Sequence, residues 1–484
     1  MKNITIICFL AGMFFGCQKT IENPKTQIII TTDQDSLLYV DFYRPQDGIF
    51  LWGSKKDSIH RNNNKEFRID VDLQEPEYVK LNVSGKELRM VLLPNQTYRI
   101  AINNDKVSFS EDNGEGQELF NQFNRDDIGT FSFQDRFVKD STFALLESSL
   151  YKLKSTELRQ LDSLLNADKI DPQFYEFSLN DINYYYANAR VSLVSGSSRK
   201  GNFEEKKEID SIITTTLRQY PYNIKDAPIN WYKYVRSGII WPKLKSQFNW
   251  EQRDELYQKD SLHPVIIETI NKNLSPEYQE RYLAYYLFSA LKVKKFEKSL
   301  VVAFKDFKSS YPNSKFIPYI EPDINEIVEF HDKIKGEMPS AVRFLDNENI
   351  NDFNRLLLDT NGEKLYVDVW ATNCAPCKKE FEHNEALNQL LEKYNYKKLY
   401  VSLDRKEDKQ RWLDMIKYYD LLGYHHLASQ EFFAHFANNF SPYEGSVSIP
   451  QYLLVDEKGN IKTIDAPRPS KLEQLEAVLK EESL

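Results

Sequence analysis

Between Val79 and Ile102 apolar and polar side chains alternate with a period of two. Val79, Leu81 and Val83 are followed by a Gly85-Lys86 turn, then by Leu88, Met90 and Leu92. Pro94-Asn95-Gln96 makes the next turn before Tyr98, Ile100 and Ile102. Strands with one apolar face and turns at this spacing predict a small antiparallel sheet or sandwich. The pattern covers residues 26–112 and stops at Asp112-Asn113-Gly114-Glu115-Gly116. From 117 to 335 the period becomes helical. Ser275-Pro276 reads as a helix start, a capping hydroxyl followed by proline in the first turn. Behind it Leu283, Leu287, Ala290 and Leu291 recur at helical spacing, and Tyr282, Tyr285 and Tyr286 widen the stripe. Phe174, Tyr175, Phe177, Tyr184, Tyr185 and Tyr186 mark another helix. Such rings read first as helix-packing groups; a Tyr-rich groove for a peptide or sugar is the alternative. No strict period of about 34 residues marks a helical repeat.

Gly336-Glu337-Met338-Pro339 reads as a boundary. Beyond it the pattern predicts a strand over Leu365–Trp370, a helix from Cys374 to about Tyr394, and a strand over Leu399–Leu403. A helix over Glu407–Tyr419 and another over Gln430–Asn439 follow. Tyr452–Val455 and Ile461–Ile464 form a hairpin across Glu457-Lys458-Gly459-Asn460, and a helix over Ser470–Glu482 closes the chain. The expected fold is therefore multi-domain: an N-terminal antiparallel β domain over 26–112, a central all-α domain over 117–335, and a C-terminal α/β domain over 338–484.

The 484 residues carry 63 Lys+Arg against 72 Asp+Glu, a net charge of −9. That balance and the lack of a basic stripe argue against nucleic acid, whose phosphates demand a positive face. No glycine-rich phosphate loop is present, and no cofactor is implied. An aromatic share of 13% marks a folded chain.

Four cysteines are present: Cys8, Cys17, Cys374 and Cys377. Cys8 lies in a segment with a positive Lys2 and an apolar run from Ile4 to Phe15, too short to span a bilayer. Gly16 then precedes Cys17, an arrangement that resembles a bacterial lipoprotein signal. The resemblance implies removal of residues 1–16, a lipid on the Cys17 sulfur, and a polar tether over 17–25. A thioether requires a thiol, so the residue type fits. Phe14 and Phe15 depart from the usual smaller residues, and an ordinary signal peptide cut elsewhere is the alternative. Several acyl chains would anchor the mature chain stably.

The remaining pair forms Trp370-Ala371-Thr372-Asn373-Cys374-Ala375-Pro376-Cys377, directly after a strand and opening a helix. That context gives a CxxC its value. Cys374 falls at the helix N-terminus, where unpaired N–H groups and the macrodipole favour its thiolate. Cys377 lies one turn on, within reach of a disulfide. Pro376 is tolerated because first-turn N–H groups lack helical partners. A stapling disulfide would constrain little across two residues. A zinc site would need a second pair, to which His425, His426 and His435 could in principle contribute; adjacent histidines such as His425-His426 read more simply as solvated surface. No metal is expected.

Val367-Asp368-Val369-Trp370-Ala371-Thr372-Asn373-Cys374-Ala375-Pro376-Cys377-Lys378-Lys379-Glu380-Phe381 resembles the active-site stretch of TlpA/ResA-type thiol–disulfide oxidoreductases of the thioredoxin fold. Ser448-Ile449-Pro450-Gln451-Tyr452-Leu453-Leu454-Val455-Asp456 with Gly459 resembles their cis-proline strand and hairpin. The resemblance covers about Pro339 to Leu484. The segments before it resemble, more weakly, the N-terminal regions of such lipoproteins in Bacteroidetes.

By that resemblance Cys374 would be an exposed nucleophile and Cys377 the resolving thiol. Asp368 would be a buried acid beneath Cys377, and Glu380 a carboxylate near the thiols; a dry carboxyl group has a raised pKa and can carry the resolving thiol's proton. The plainer alternatives are a partnered strand polar for Asp368 and an exposed helix residue for Glu380. Pro450 would be cis against the CxxC, with Ile449 and Trp370 also at the substrate surface and the Ile449 backbone open to an extended segment. Asn373 replaces a usual tryptophan and should expose Cys374 more.

The implied activity is disulfide reduction in exported proteins, fed by a membrane electron donor, with the chain in the cell envelope, facing the periplasm and more naturally on the outer membrane. An isomerase or oxidase is the nearest rival, and a tethered binding module with an accessory redox domain the alternative of a different class.

Overall fold

The computed structural model describes residues 25–34, 37–43, 56–62, 66–83, 85–103, 106–123, 142–197, 206–224, 230–345, 350–441 and 445–482. Cys8, the signal segment and Cys17 lie outside the described residues. The chain divides into two compact units, 1–238 and 239–484, so the helical region contributes to both.

In the first unit, β1 (Thr26–Thr32), β2 (Tyr39–Tyr43), β3 (Lys56–His60), β4 (Glu66–Val71), β5 (Glu77–Val83), β6 (Lys86–Leu92), β7 (Thr97–Asn103) and β8 (Lys106–Glu111) form two four-stranded sheets. Their orders are β4-β1-β7-β8 and β3-β2-β5-β6. Pairing is antiparallel except between β1 and β7, which run parallel. The alternating residues meet between the sheets: Ile28, Ile30, Tyr98 and Ile100 share one core with Val40, Phe42, Leu81 and Met90. Among the described residues five helices follow, α1 (Gly114–Gln122), α2 (Phe143–Asn166), α3 (Pro172–Ser197), α4 (Lys206–Gln219) and α5 (Trp231–Val235). Phe174, Tyr185 and Tyr186 of α3 are buried with Leu146, Leu150 and Leu161 of α2. For these rings the packing role is the observed one.

The second unit opens with α6 (Trp241–Gln247), α7 (Trp250–Gln258), α8 (Leu262–Asn273), α9 (Pro276–Leu291), α10 (Lys298–Ser310) and α11 (Ile317–Lys333). Pro276 takes the first helical position of α9 as expected, but the Ser275 hydroxyl makes no capping bond. The Tyr278 N–H donates instead to the Ser275 carbonyl, at 2.9 Å. No helix among the described residues is long and apolar enough to cross a membrane.

The C-terminal α/β part runs β9 (Val342–Phe344), α12 (Phe353–Leu358), β10 (Lys364–Trp370), α13 (Ala375–Glu380), α14 (Asn384–Lys393), β11 (Tyr396–Ser402), α15 (Lys409–Tyr418), β12 (Gly423–Leu427), α16 (Gln430–Asn439), β13 (Gln451–Val455), β14 (Ile461–Thr463) and α17 (Leu472–Glu481). The six strands form one sheet in the order β14-β13-β10-β11-β12-β9. β10, β11, β12 and β9 run parallel, and β13 is antiparallel to both β10 and β14. Both faces are covered, which is why β10 reads as a near-continuous apolar run. Val367, Val369, Leu399 and Val401 face Phe353, Phe432 and Phe436 of α12 and α16. On the other face Tyr366, Tyr452 and Leu454 meet Leu387, Leu391, Leu475 and Leu479 of α14 and α17.

Sequence reading missed β9, α12 and β12, and merged α13 with α14, which a short 3-10 turn at Phe381–His383 separates. The miss at β12 overturns the solvated reading of its histidines. His425 and His426 are 0% and 4% exposed, because β12 lies between β11 and β9 under helices on both faces. His425 stacks on Tyr400 at 4.8 Å, contacts the Leu421 carbonyl at 2.7 Å, and is held neutral by burial, its pKa lowered to about 3. His426 packs on Phe432 at 4.8 Å, and His435 lies on α16, its Nδ1 accepting the Phe353 N–H at 3.4 Å. Gly423 opens β12 at φ +135°, where a Cβ would meet the Lys398 carbonyl oxygen at 2.5 Å. Only glycine fits there without a backbone shift.

Candidate active site

Strand β10 carries the chain to Trp370, and a four-residue loop delivers Cys374 to the first turn of α13. Cys374 and Cys377 form a disulfide with their Cα atoms 5.3 Å apart. Cys374 is the N-cap of α13, and its Sγ accepts the Cys377 N–H at 3.2 Å. This N–H is one of the first-turn donors without a helical acceptor, and it favours negative charge on Cys374 when the bond is open. Cys374 is 7% exposed and Cys377 0% exposed, so only the first sulfur can be reached from outside. Asn373 is itself exposed, yet Cys374 stays largely covered. The expected extra exposure is absent in this oxidised form, in which Sγ turns inward to its partner.

On β10, two residues before Trp370, Asp368 is 2% exposed, and its Oδ1 has no hydrogen-bond partner. It pairs in register with Tyr400 on β11 and Tyr452 on β13, whose hydroxyls also lack partners. The Asp368 pKa is raised to about 8, chiefly by burial, with Lys398 opposing the rise and Glu380 adding to it. The acid therefore holds a proton at neutral pH and can exchange it. Lys398, two residues before Tyr400 on β11, is 5% exposed, and burial lowers its pKa against the pull of Asp368.

Glu380 ends α13 and is buried, not exposed: both carboxylate oxygens accept from Ser470, one from its N–H at 2.9 Å and one from its hydroxyl at 3.1 Å. It fastens the segment leading into α17, and its charge reaches Asp368. Of the two carboxylates, Asp368 is the one with a free oxygen. Trp370 needs a correction. It is 0% exposed and packs edge-on against Phe381 at 5.2 Å, so it supports the loop from below and offers no surface to a substrate. The Ile449–Pro450 peptide is cis, as the motif implies. Pro450 directly precedes β13, whose Gln451 lies opposite Val369 of the active-site strand.

Asp404, beyond the end of β11, was not anticipated. Its carboxylate accepts the Thr372 N–H at 3.1 and 2.8 Å, the Thr372 hydroxyl at 2.7 Å and the Ser402 hydroxyl at 2.6 Å. The signal was an acid just past the C-terminal end of a strand beside the CxxC strand. Lys398 left a weaker trace, a cation at a core-facing position of a mostly apolar strand beside the exposed Lys397. Replacing Asp404 by alanine orphans three buried donors, each worth about 1–3 kcal/mol. The D404A variant is expected to lose about 2–4 kcal/mol of stability in urea unfolding, because part of the loss is recovered by relaxation.

Away from this site, Asp260, His263 and Glu297 bring ligand-type atoms within 4.8 Å of one another. Each already has protein partners: Asp260 binds Ser299, His263 meets the Tyr286 hydroxyl at 2.6 Å, and Glu297 pairs with Lys295 at 3.2 Å. This set is an ion-pair cluster that closes α8 onto α10.

Residues 335–479 match the family Redoxin. Among solved structures, the chain is 30% identical to a thiol–disulfide oxidoreductase from Bacteroides vulgatus, with 26% of this chain and 82% of that one covered and a TM-score of 0.22. It is 20% identical to the thioredoxin domain of another thiol–disulfide oxidoreductase from the same organism, covering 26% and 84% with a TM-score of 0.22. A thioredoxin-family thiol:disulfide interchange protein from Chlorobium tepidum shares 15% identity over 25% and 83%, with a TM-score of 0.21. No curated protein matches the chain. The chain thus carries a C-terminal Redoxin domain, residues 335–479, whose strand–CxxC–helix unit is that of a TlpA-like thiol–disulfide oxidoreductase of the thioredoxin fold.

Proposed function

We propose that the chain is an exported, lipid-anchored reductase of disulfides in exported proteins, and the observation that carries this is a Cys374–Cys377 pair, with Cys374 reachable and Cys377 wholly buried, directly after a strand that carries the buried, proton-holding acid Asp368. In the reduced protein the Cys374 thiolate attacks one sulfur of a substrate disulfide. A mixed disulfide forms, and the other substrate sulfur leaves as a thiolate that takes a proton. In molecules whose Asp368 has released its proton, Cys377 gives its own proton to that carboxylate and attacks Cys374. The Cys374–Cys377 bond closes, and the second substrate thiol leaves. The substrate gains two electrons and the CxxC pair loses two, so turnover requires a membrane electron donor that restores both thiols. Ile449 and Pro450 line the approach to Cys374, where an extended substrate segment pairs with main chain.

Export and anchoring rest on Lys2, the apolar run Ile4–Phe15 and Cys17. The outer membrane, on its periplasmic face, is the proposed location, since no acidic run follows Cys17. One experiment tests these elements together: acid-trapped thiols are alkylated in fractionated cells expressing the wild-type chain or C17S. The reading requires wild type in the membrane fraction with Cys374 and Cys377 reduced, and C17S released. A pair trapped fully oxidised would replace reductase by oxidase, and a C17S chain still in the membrane would refute the lipid anchor.

A further inference from the structure

Lys378 directly follows Cys377, and it is 0% exposed. An ammonium that leaves water loses several kcal/mol unless its N–H groups find acceptors. Here three carbonyls accept its three N–H groups: Thr372 at 2.6 Å, Val293 at 2.7 Å and Lys294 at 2.8 Å. The acceptors come from two places. Thr372 belongs to the loop that carries Cys374. Val293 and Lys294 lie just past the end of α9, where Lys294 adopts φ 50° and donates its N–H back to Leu291. A helix C-terminus presents unpaired carbonyls and partial negative charge, which suits a cation. A neutral amine has only two N–H groups and would turn a lone pair toward the third carbonyl, so the arrangement fits the charged form.

Charged groups face Lys378 from several elements. Asp404, after β11, and Glu297, before α10, favour the ammonium; Lys294 and Arg411 of α15 oppose it. Burial outweighs these and brings its pKa down to about 7. Thr372 is thereby gripped on both sides, its N–H and hydroxyl by Asp404 and its carbonyl by Lys378.

We propose that Lys378 is a positioning residue for Cys374, a charged latch that ties the CxxC loop to the end of α9 and makes the helical segment ahead of the Redoxin domain part of the redox site. The proposal rests on the redox reading of Cys374 and Cys377. Two residues past Thr372, the Cys374 Sγ accepts the Cys377 N–H, the donor that favours its thiolate. A loop released from α9 lets the sulfur move off this donor, and the thiol pKa rises. Any event that shifts the α9–α10 connection reaches Cys374 by the same route.

The test is the pH profile of Cys374 alkylation by iodoacetamide in the reduced full-length chain, for wild type, Lys378→Met and Lys378→Gln. Methionine keeps the length without the charge, and glutamine keeps a polar donor in case methionine does not fold. The expected result is a profile moved up by about one pH unit in K378M, so that Cys374 reacts about tenfold more slowly at neutral pH. K378Q should lie between. A lower melting temperature with an unmoved profile in either folded variant would reduce Lys378 to a structural role and overturn the proposal. Glutathione disulfide supplies the control. A wild-type chain that does not exchange with it would overturn the redox reading itself, and the latch with it.

Discussion

Changing Cys377 to serine is expected to stop exchange halfway. Cys374 retains its thiol and its place at the N-cap of α13, so it still attacks a disulfide and forms the mixed disulfide. With no thiol at 377 to displace the substrate, that species accumulates and is seen as a covalent complex on a non-reducing gel. Changing Cys374 to serine removes the reachable sulfur of the pair, since Cys377 is wholly buried. A hydroxyl is a far weaker nucleophile at neutral pH, and turnover should fall by about a thousandfold or more with no trapped complex. The asymmetry is the useful part. If both variants trapped substrate equally, the assignment of attacking and resolving thiols would be wrong.

The second large effect concerns Asp368. Its pKa of about 8 means that its proton-accepting form grows as pH rises toward 8 and then levels off. In wild type the resolving step should follow that rise. Asp368→Asn removes the acceptor, leaving Cys377 to ionise alone inside the protein. The step should slow by about a hundredfold at pH 7, and its rise should move to higher pH. Stability should change in the opposite sense. Folded Asp368 keeps its proton between about pH 4 and pH 8, whereas the unfolded chain has released it, so wild-type stability falls across that window and levels off above it. D368N lacks this slope. At pH 8.5 it should be more stable than wild type by on the order of 3 kcal/mol, the loss of the Lys398 counter-charge offsetting part of the gain. Denaturant unfolding at pH 5 and pH 8.5 measures the difference. A D368N chain that resolves mixed disulfides as fast as wild type would remove Asp368 from the proton pathway.

What was legible in the sequence follows from where information is local. Alternation across β5, β6 and β7 was readable because each strand buries one face and each turn carries its own residue signature, such as Asn95 at φ 63°. The CxxC and Ile449–Pro450 were readable because the chemistry compresses them into short motifs. β12 was not, because Tyr424-His425-His426 neither alternates nor forms an apolar run; its character comes from Trp412, Phe344 and Phe432 packing around it. Trp370 was misplaced because a strand-end tryptophan beside a CxxC carries no mark of which way it turns. Lys378, Lys398 and Asp404 were missed for one reason. Their partners are far along the chain: Val293 for Lys378, Asp368 for Lys398 and Thr372 for Asp404. The division at residue 238 was likewise hidden, because helical periodicity runs through it without a change of composition.

The reduction potential of the Cys374/Cys377 couple in the full-length chain, equilibrated against glutathione or dithiothreitol, tests the central claim most directly. A reductase of this kind should lie at or below about −230 mV, in the range of thioredoxin-like reductants. A value above about −180 mV would contradict it and make the protein an isomerase or oxidase, and a pair that never cycles would leave no redox function at all.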